Sequence, residues 1–256
     1  MACFATIFRM RDGPRLLALH PTGEAASRCM QQFVERAPPY AGAWRPAYCA
    51  AGLVFAAALY FSWLAPPTRR WWDALDLAVY HLFNPTLAAA GAWQSFWAVA
   101  NWRPSDLVTA AIIFTFVLAW LRAGGSRHAH ARLAQFLAFC VLLLIGKAID
   151  HLLLEFVGYR RQSPTLVFPD AVRLSELVTW VQVKDRGSTV FPGDHAFVIF
   201  ATVGFIRICI GRGAGWLAAL LLVPFTLPRL VIGAHWLTDI AVGGLGMALV
   251  LLALAY

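Results

Sequence analysis

Three clusters of polar residues stand out in an otherwise apolar chain. The first is Arg160-Arg161 with Ser163-Pro164-Thr165 behind it, the second is Phe191-Pro192-Gly193-Asp194-His195, and the third is Arg229, His235 and Asp239 in the spacing R-x5-H-x3-D. His235 and Asp239 are four residues apart, so on a helix they share a face, and the carboxylate accepts one imidazole N–H while the other nitrogen points away. An imidazole held in this way is a better nucleophile, and its cation is stabilised afterwards. Arg229 adds a permanent charge on a planar fork that matches the oxygens of a phosphoryl group. His195 comes from a different helix end, so a second imidazole can stand opposite the first. Two histidines on either side of a phosphorus atom suit nucleophilic displacement, one attacking and the other protonating the departing oxygen.

The elements that position these clusters follow from composition. The 256 residues are 60% hydrophobic and 13% charged, against about 25% charged in an average soluble domain. That balance excludes a disordered chain and points to membrane spans of about 20 apolar residues each. Apolar stretches at about 47–65, 107–121, 133–157, 195–211, 214–233 and 235–255 predict an all-α fold, a polytopic bundle of six transmembrane helices. A further segment, about 71–101, mixes Trp71, Trp72, Trp93, Trp97 and Trp102 with Asp73, Asp76, His81 and Asn84. Indoles among polar groups fit helices lying at the headgroup level between the first and second spans.

The formal net charge of +8 separates into two populations. Arg9, Arg11, Arg15, Arg28, Arg36 and Arg45, then Arg122, Arg127 and Arg132, then Arg207 and Arg212 fall on one side of a six-span layout, which the positive-inside rule makes the cytoplasm. On the opposite side Arg160, Arg161, Arg173, Lys184 and Arg186 need another reason, and a phosphate site supplies one. With this orientation all three polar clusters reach the same membrane face. Nucleic acid is not expected as a partner. Residues 1–45 read as a polar cytoplasmic tail, with Met30 as an alternative start, and 46–256 as one integral-membrane domain. No secretory signal is expected from the N-terminal order of apolar run before charges. Cys3, Cys29, Cys49, Cys140 and Cys209 have no metal-ligand spacing and read as packing residues or free thiols.

The order of the three clusters resembles the type 2 phosphatidic-acid phosphatase superfamily, whose pattern is K-x6-R-P, then P-S-G-H, then S-R-x5-H-x3-D. The resemblance is stronger to its lipid A-modifying branch of inner-membrane phosphotransferases, carried by RQSPTLVF (161–168), SEL (175–177), Lys184-Asp185, FPGDH (191–195) and PRLVIGAHWLTDI (228–240), with Asn101, Arg103 and Asp106 before the second span. The chain departs from the superfamily pattern in three places. Leu154 stands where the first-motif lysine belongs, Gly193-Asp194 replace Ser-Gly, and Pro228 replaces the third-motif serine. Arg160 or Lys184 stands in for the missing lysine charge. The first two departures are shared with the lipid A branch.

The resemblance implies that His235 is the nucleophile that forms a phosphohistidine, Asp239 orients it, His195 is the general acid, and Arg161 and Arg229 bind phosphoryl oxygens, with Arg160, Lys184 and Gly193 as further phosphate contacts. It implies a polyprenyl donor, undecaprenyl diphosphate, a lipid A 1-phosphate acceptor, no cofactor and an active site facing the periplasm. A phosphatase using the same intermediate on undecaprenyl diphosphate or lipid A phosphate is the alternative.

Other readings compete at single residues. Asp194 suits an N-cap of the fourth span or a role in orienting the acceptor. Lys147, Asp150, His151 and Glu155, in the third span, suit a buried polar network or a lining of the substrate path. His81 and the tryptophans suit interfacial anchors, and His128 and His130 a solvated loop. Two histidines with aspartates resemble a zinc set, but Arg161 and Arg229 would repel a cation there, so no metal is expected. A transporter would place its polar residues near the midplane instead of at one face.

Overall fold

The computed structural model describes residues 46–123, 125–157 and 160–254. The expected tail, 1–45, lies outside the described residues. Within them the secondary structure is helical and contains no strand. Helix α1 is Pro46–Leu64 and α2 is Pro66–Phe83, with Ala65 extended between them because the following proline disfavours the helical region. A short 3-10 turn at Asn84–Ala88 leads to α3, Ala92–Ala100. Then come α4, Arg103–Ala123, and α5, Gly125–Val157. Single helical turns at Pro164–Val167 and Leu174–Leu177 punctuate a loop. Helix α6 is Asp194–Phe205, continued by a π segment at Ile206–Ile210. The remaining helices are α7, Arg212–Ala219, α8, Leu222–Val231, and α9, Leu245–Leu254, the last preceded by a π segment at Asp239–Gly244.

Four helical stretches are long and apolar enough to cross a membrane: Pro46–Leu64, Arg103–Ala123, His128–Leu152 and Arg212–Val231. Asp239–Leu254 is a shorter apolar helix. Six apolar stretches were therefore legible, but among the described residues four reach spanning length. The short 107–121 run becomes a full span by taking in Arg103 and Asp106 at its start. The stretch expected at 214–233 is interrupted at residues 220–221, where α7 gives way to α8.

The long helices leave their apolar sides uncovered, which is the surface that lipid tails would meet. Only 6% of the His128–Leu152 window and 11% of the α1 window are buried. Helix α9 packs along both α1 and α6. A Cβ on Gly52 of α1 would stand 2.9 Å from the Ala253 Cβ, so these helices meet through small residues. Toward one end of the helices, Trp120, Phe139, Phe197, Phe205 and Ile206 form a closed apolar core.

The site end is built differently. Helix α3, the Leu174–Leu177 turn and the end of α8 share a second core around Leu87, Trp97, Leu174, Val231 and Ile232. Polar ties lock this cap. Asn84 donates to the Val172 carbonyl at 3.0 Å and accepts from the Val172 N–H at 2.9 Å. Asn101 donates to the Trp97 and Pro228 carbonyls at 2.9 and 3.1 Å. Burial pushes the Tyr80 phenol up to about 12, with Asp170 adding to the rise and Arg173 opposing it. The phenol thus stays a donor, reaching Asn84 Oδ1 at 3.3 Å. The 71–101 segment is two helices tied over the loop and α8 by these side chains.

Candidate active site

The loop after α5 returns the first cluster to the third. Ser163 N–H donates to the Gly187 carbonyl at 2.9 Å and Val190 N–H to the Arg161 carbonyl at 2.9 Å, so the loop closes on itself. Thr165 hydroxyl donates to the Asp185 carbonyl, and Ser175 N–H to the Asp185 carboxylate at 2.8 Å. Trp236 Nε1 donates to the Gln162 carbonyl at 2.8 Å, which pins the third cluster to the first. The second cluster is held from the other side. A Cβ on Gly243 or Gly244 would come within 2.6 Å of Pro192 or 2.5 Å of the Ala196 Cβ. Only glycine permits the π segment to lie so close to the Pro192–Ala196 stretch.

The result is a cavity of about 660 Å³ whose walls include Arg160, Lys184, His195, Arg229 and His235, together with Asp106 and the α5 residues Lys147, Asp150, His151 and Glu155. All three polar clusters therefore contribute to one space. Helix α5 has 33 residues, about 50 Å at 1.5 Å per residue, longer than the roughly 30 Å of hydrocarbon. Its polar turns accordingly reach the cavity wall.

His235 Nδ1 faces the Asp239 carboxylate at 3.5 Å, leaving Nε2 as the nitrogen turned away from that partner. The pairing does not come from a shared helix face, as the spacing suggested. His235 sits in a bend before the helix begins, and Asp239 opens the π segment. The carboxylate, fully buried, also accepts the Trp236 N–H at 2.8 Å and Arg161 Nη1 at 2.9 Å. A chain turning back on its own carboxylate brings the two side chains together.

Arg161 stands behind this pair. Its guanidinium donates to Asp76 at 2.5 Å, Thr238 Oγ1 at 2.5 Å and Asp239 at 2.9 Å, and lies 4.8 Å over the Trp236 ring. Asp76, 2% exposed, also accepts the Thr238 N–H at 2.9 Å and its hydroxyl at 2.6 Å. Two buried carboxylates thus satisfy one arginine, which is how buried charges are tolerated. Arg161, expected from the resemblance to bind phosphate, has its fork matched here by protein oxygens and is not among the residues that line the cavity. Gly193, expected as a further phosphate contact, donates its N–H to the Asp239 carbonyl at 2.9 Å.

Arg229, largely buried, does line the cavity. Its Nη2 donates to both Asp106 oxygens at 2.8 and 3.0 Å, and its Nη1 to the Phe225 carbonyl at 2.6 Å. The same Asp106 lies 3.9 Å from His195 Nε2. Asp106 therefore links the arginine to the second imidazole. Asp194 is the first residue of α6, with Gly193 at the cap and no side-chain capping bond. Its carboxylate pairs with Lys147 Nζ at 2.9 Å, so a cap is the wrong reading. His151 Nδ1 lies 3.5 Å from Glu155. Among the described residues no group of three or more His, Cys, Asp or Glu side chains is placed to hold a metal ion.

Helices of membrane length and a cavity that sets two imidazoles beside an arginine define a multi-pass membrane protein with a site suited to phosphoryl chemistry. The chain is 32% identical over 194 residues to lipid A 1-diphosphate synthase of Escherichia coli strain K12, covering 75% of this chain and 80% of that protein. It belongs to the lipid A 1-diphosphate synthase family. No family model and no solved structure matches it.

Proposed function

We propose that the chain is an inner-membrane phosphotransferase of the type 2 phosphatidic-acid phosphatase kind. It moves the terminal phosphoryl group of undecaprenyl diphosphate to the 1-phosphate of lipid A. The observation that carries this reading is the His235–Asp239 pair sharing one cavity with His195 and Arg229, in a member of a family named for making lipid A 1-diphosphate. His235 Nε2 attacks the terminal phosphorus while the bond to the bridging oxygen breaks. His195 protonates that oxygen as undecaprenyl phosphate leaves, and Asp239 steadies the imidazolium. Arg229 offsets the charge that gathers on the phosphoryl oxygens, the kind of contribution worth about 10³ to 10⁵ in rate for an arginine in other phosphoryl transfers. An oxygen of the lipid A 1-phosphate then attacks the phosphohistidine, the N–P bond breaks, and the diphosphate departs.

The site would face the periplasm from a bundle of six spans, 46–64, 103–123, 125–157, 194–210, 212–231 and 239–254, with the N-terminus in the cytoplasm. Helices α2 and α3 would lie at the interface, where a lipid headgroup arrives laterally. Mass spectrometry of lipid A made with and without the protein tests the assignment. One added phosphate is expected. Loss of a phosphate would make the protein a lipid A phosphatase, and unchanged lipid A with faster undecaprenyl diphosphate turnover would make it a polyprenyl diphosphatase. Turnover by detergent-solubilised protein separates catalysis from transport, which needs a sealed membrane.

A further inference from the structure

The cations around the cavity divide into two sets. Arg229 is bonded to Asp106, Lys147 to Asp194 and Arg186 to Glu176. Arg103, Arg160 and Lys184 line the same cavity, are exposed, and their side chains make no hydrogen bond or ion pair with any described residue. They come from three separate parts of the chain: the start of α4, the end of the α5 connection and the loop before α6. An isolated surface cation is ordinarily just hydrated. Here three converge on one concave space whose other lysines and arginines are already neutralised. Such an arrangement selects a ligand group with more than one negative charge.

The reaction proposed above has such a group, and Arg229 does not hold it. The phosphoryl group in transit lies between His235 and His195, beside Arg229. A diphosphate donor carries a second phosphate, which remains on the departing lipid. The acceptor is likewise a phosphate monoester on a lipid, and it must approach the phosphohistidine from the side the first lipid vacated. In-line displacement opposite the His235 nitrogen brings the incoming phosphate to the place the leaving one vacated.

We propose that Arg103, Arg160 and Lys184 form a second phosphate subsite for the phosphate that is not transferred, first the donor's lipid-linked phosphate and then the acceptor's phosphate monoester. This inference rests on the phosphotransferase reading and deepens it. In each half-reaction one P–O or N–P bond breaks as another forms at the same phosphorus, while the phosphate in the subsite keeps its own bonds. A phosphate monoester without a second phosphate gains nothing from the subsite while its phosphoryl group is being removed, so the cavity favours diphosphates as donors.

The test uses full-length protein in detergent and two non-hydrolysable probes, farnesyl methylenediphosphonate and farnesyl phosphonate, which differ by one phosphonate group. Each lost charge-assisted contact should weaken diphosphonate binding about tenfold. The monophosphonate, a mimic of the leaving and incoming monoesters, occupies the subsite alone, and the diphosphonate places its lipid-linked phosphonate there. R160Q/K184Q should therefore lower the affinity for both probes about a hundredfold, and R103Q about tenfold. R160K, which keeps the charge, should retain most of the affinity. Affinities for both probes within about twofold of native for the double variant, with its thermal midpoint unchanged, would overturn the subsite. If the double variant does not fold, R103Q and a charge-removing K184Q are read singly against the same criterion. Turnover of farnesyl diphosphate by native protein is measured alongside. Its absence would count against the phosphotransferase reading, whereas unchanged probe affinities count against the subsite alone.

Discussion

His235 and His195 face one cavity from two differently built supports. His235 is 17% exposed and rests on a fully buried carboxylate, which is itself held by a backbone N–H and by Arg161, which is held in turn by Asp76. His195 is half exposed, and its carboxylate neighbour, 3.9 Å away, is shared with Arg229. The difference suits two tasks. A nucleophile must meet phosphorus along one line, and the carboxylate that the His235 ring faces is held by layers of buried hydrogen bonds. A proton donor must serve a leaving oxygen and then be restored, which a looser and wetter imidazole allows.

Substitutions should separate the two supports by size of effect. H235A should reduce turnover of undecaprenyl diphosphate to background, because nothing else in the cavity is set to replace the attacking nitrogen; phosphate-release or transfer assays read this directly. D239N, which keeps the shape but loses the charge that orients Nδ1, should cost roughly 10³ to 10⁴ in kcat, as loss of the orienting carboxylate does in other such pairs. H195A should cost about 10² to 10³, within the range for one general acid. D106N should cost only about tenfold, since Arg229 also keeps its bond to the Phe225 carbonyl. Finding D106N as damaging as D239N in the same assay would erase the distinction between a rigid and a loose support. K147Q should leave the thermal midpoint within a degree or two, because its partner Asp194 is half exposed and such pairs are worth about 0–1 kcal/mol.

Much of this arrangement was legible before the fold. The apolar runs marked the helices, and the R-x5-H-x3-D spacing marked His235 with the carboxylate it faces. The departures have physical causes. The periodicity argument put His235 and Asp239 on one helix face, yet the π segment begins only at Asp239, and a backbone turn makes the contact. The Arg161–Asp76 pair was not expected, because Asp76 lies 85 residues away in a segment that looked merely interfacial. The Asp106–Arg229 pair leaves no local signal, since Arg229 is 123 residues further along the chain. Spacing reveals partners within a turn or two of helix. Carboxylates supplied by another helix leave no such trace. A clue was present in Asp76 itself, a charge among tryptophans that burial would force to find a cation.

In the proposed reaction His235 carries the phosphoryl group. Protein incubated with donor labelled in its terminal phosphate, quenched in alkali and digested, should yield an acid-labile, base-stable label on the peptide that contains His235. H235A should yield none, while D194N should still be labelled. Label on the peptide containing His195 instead, or undiminished label on H235A, would contradict the account.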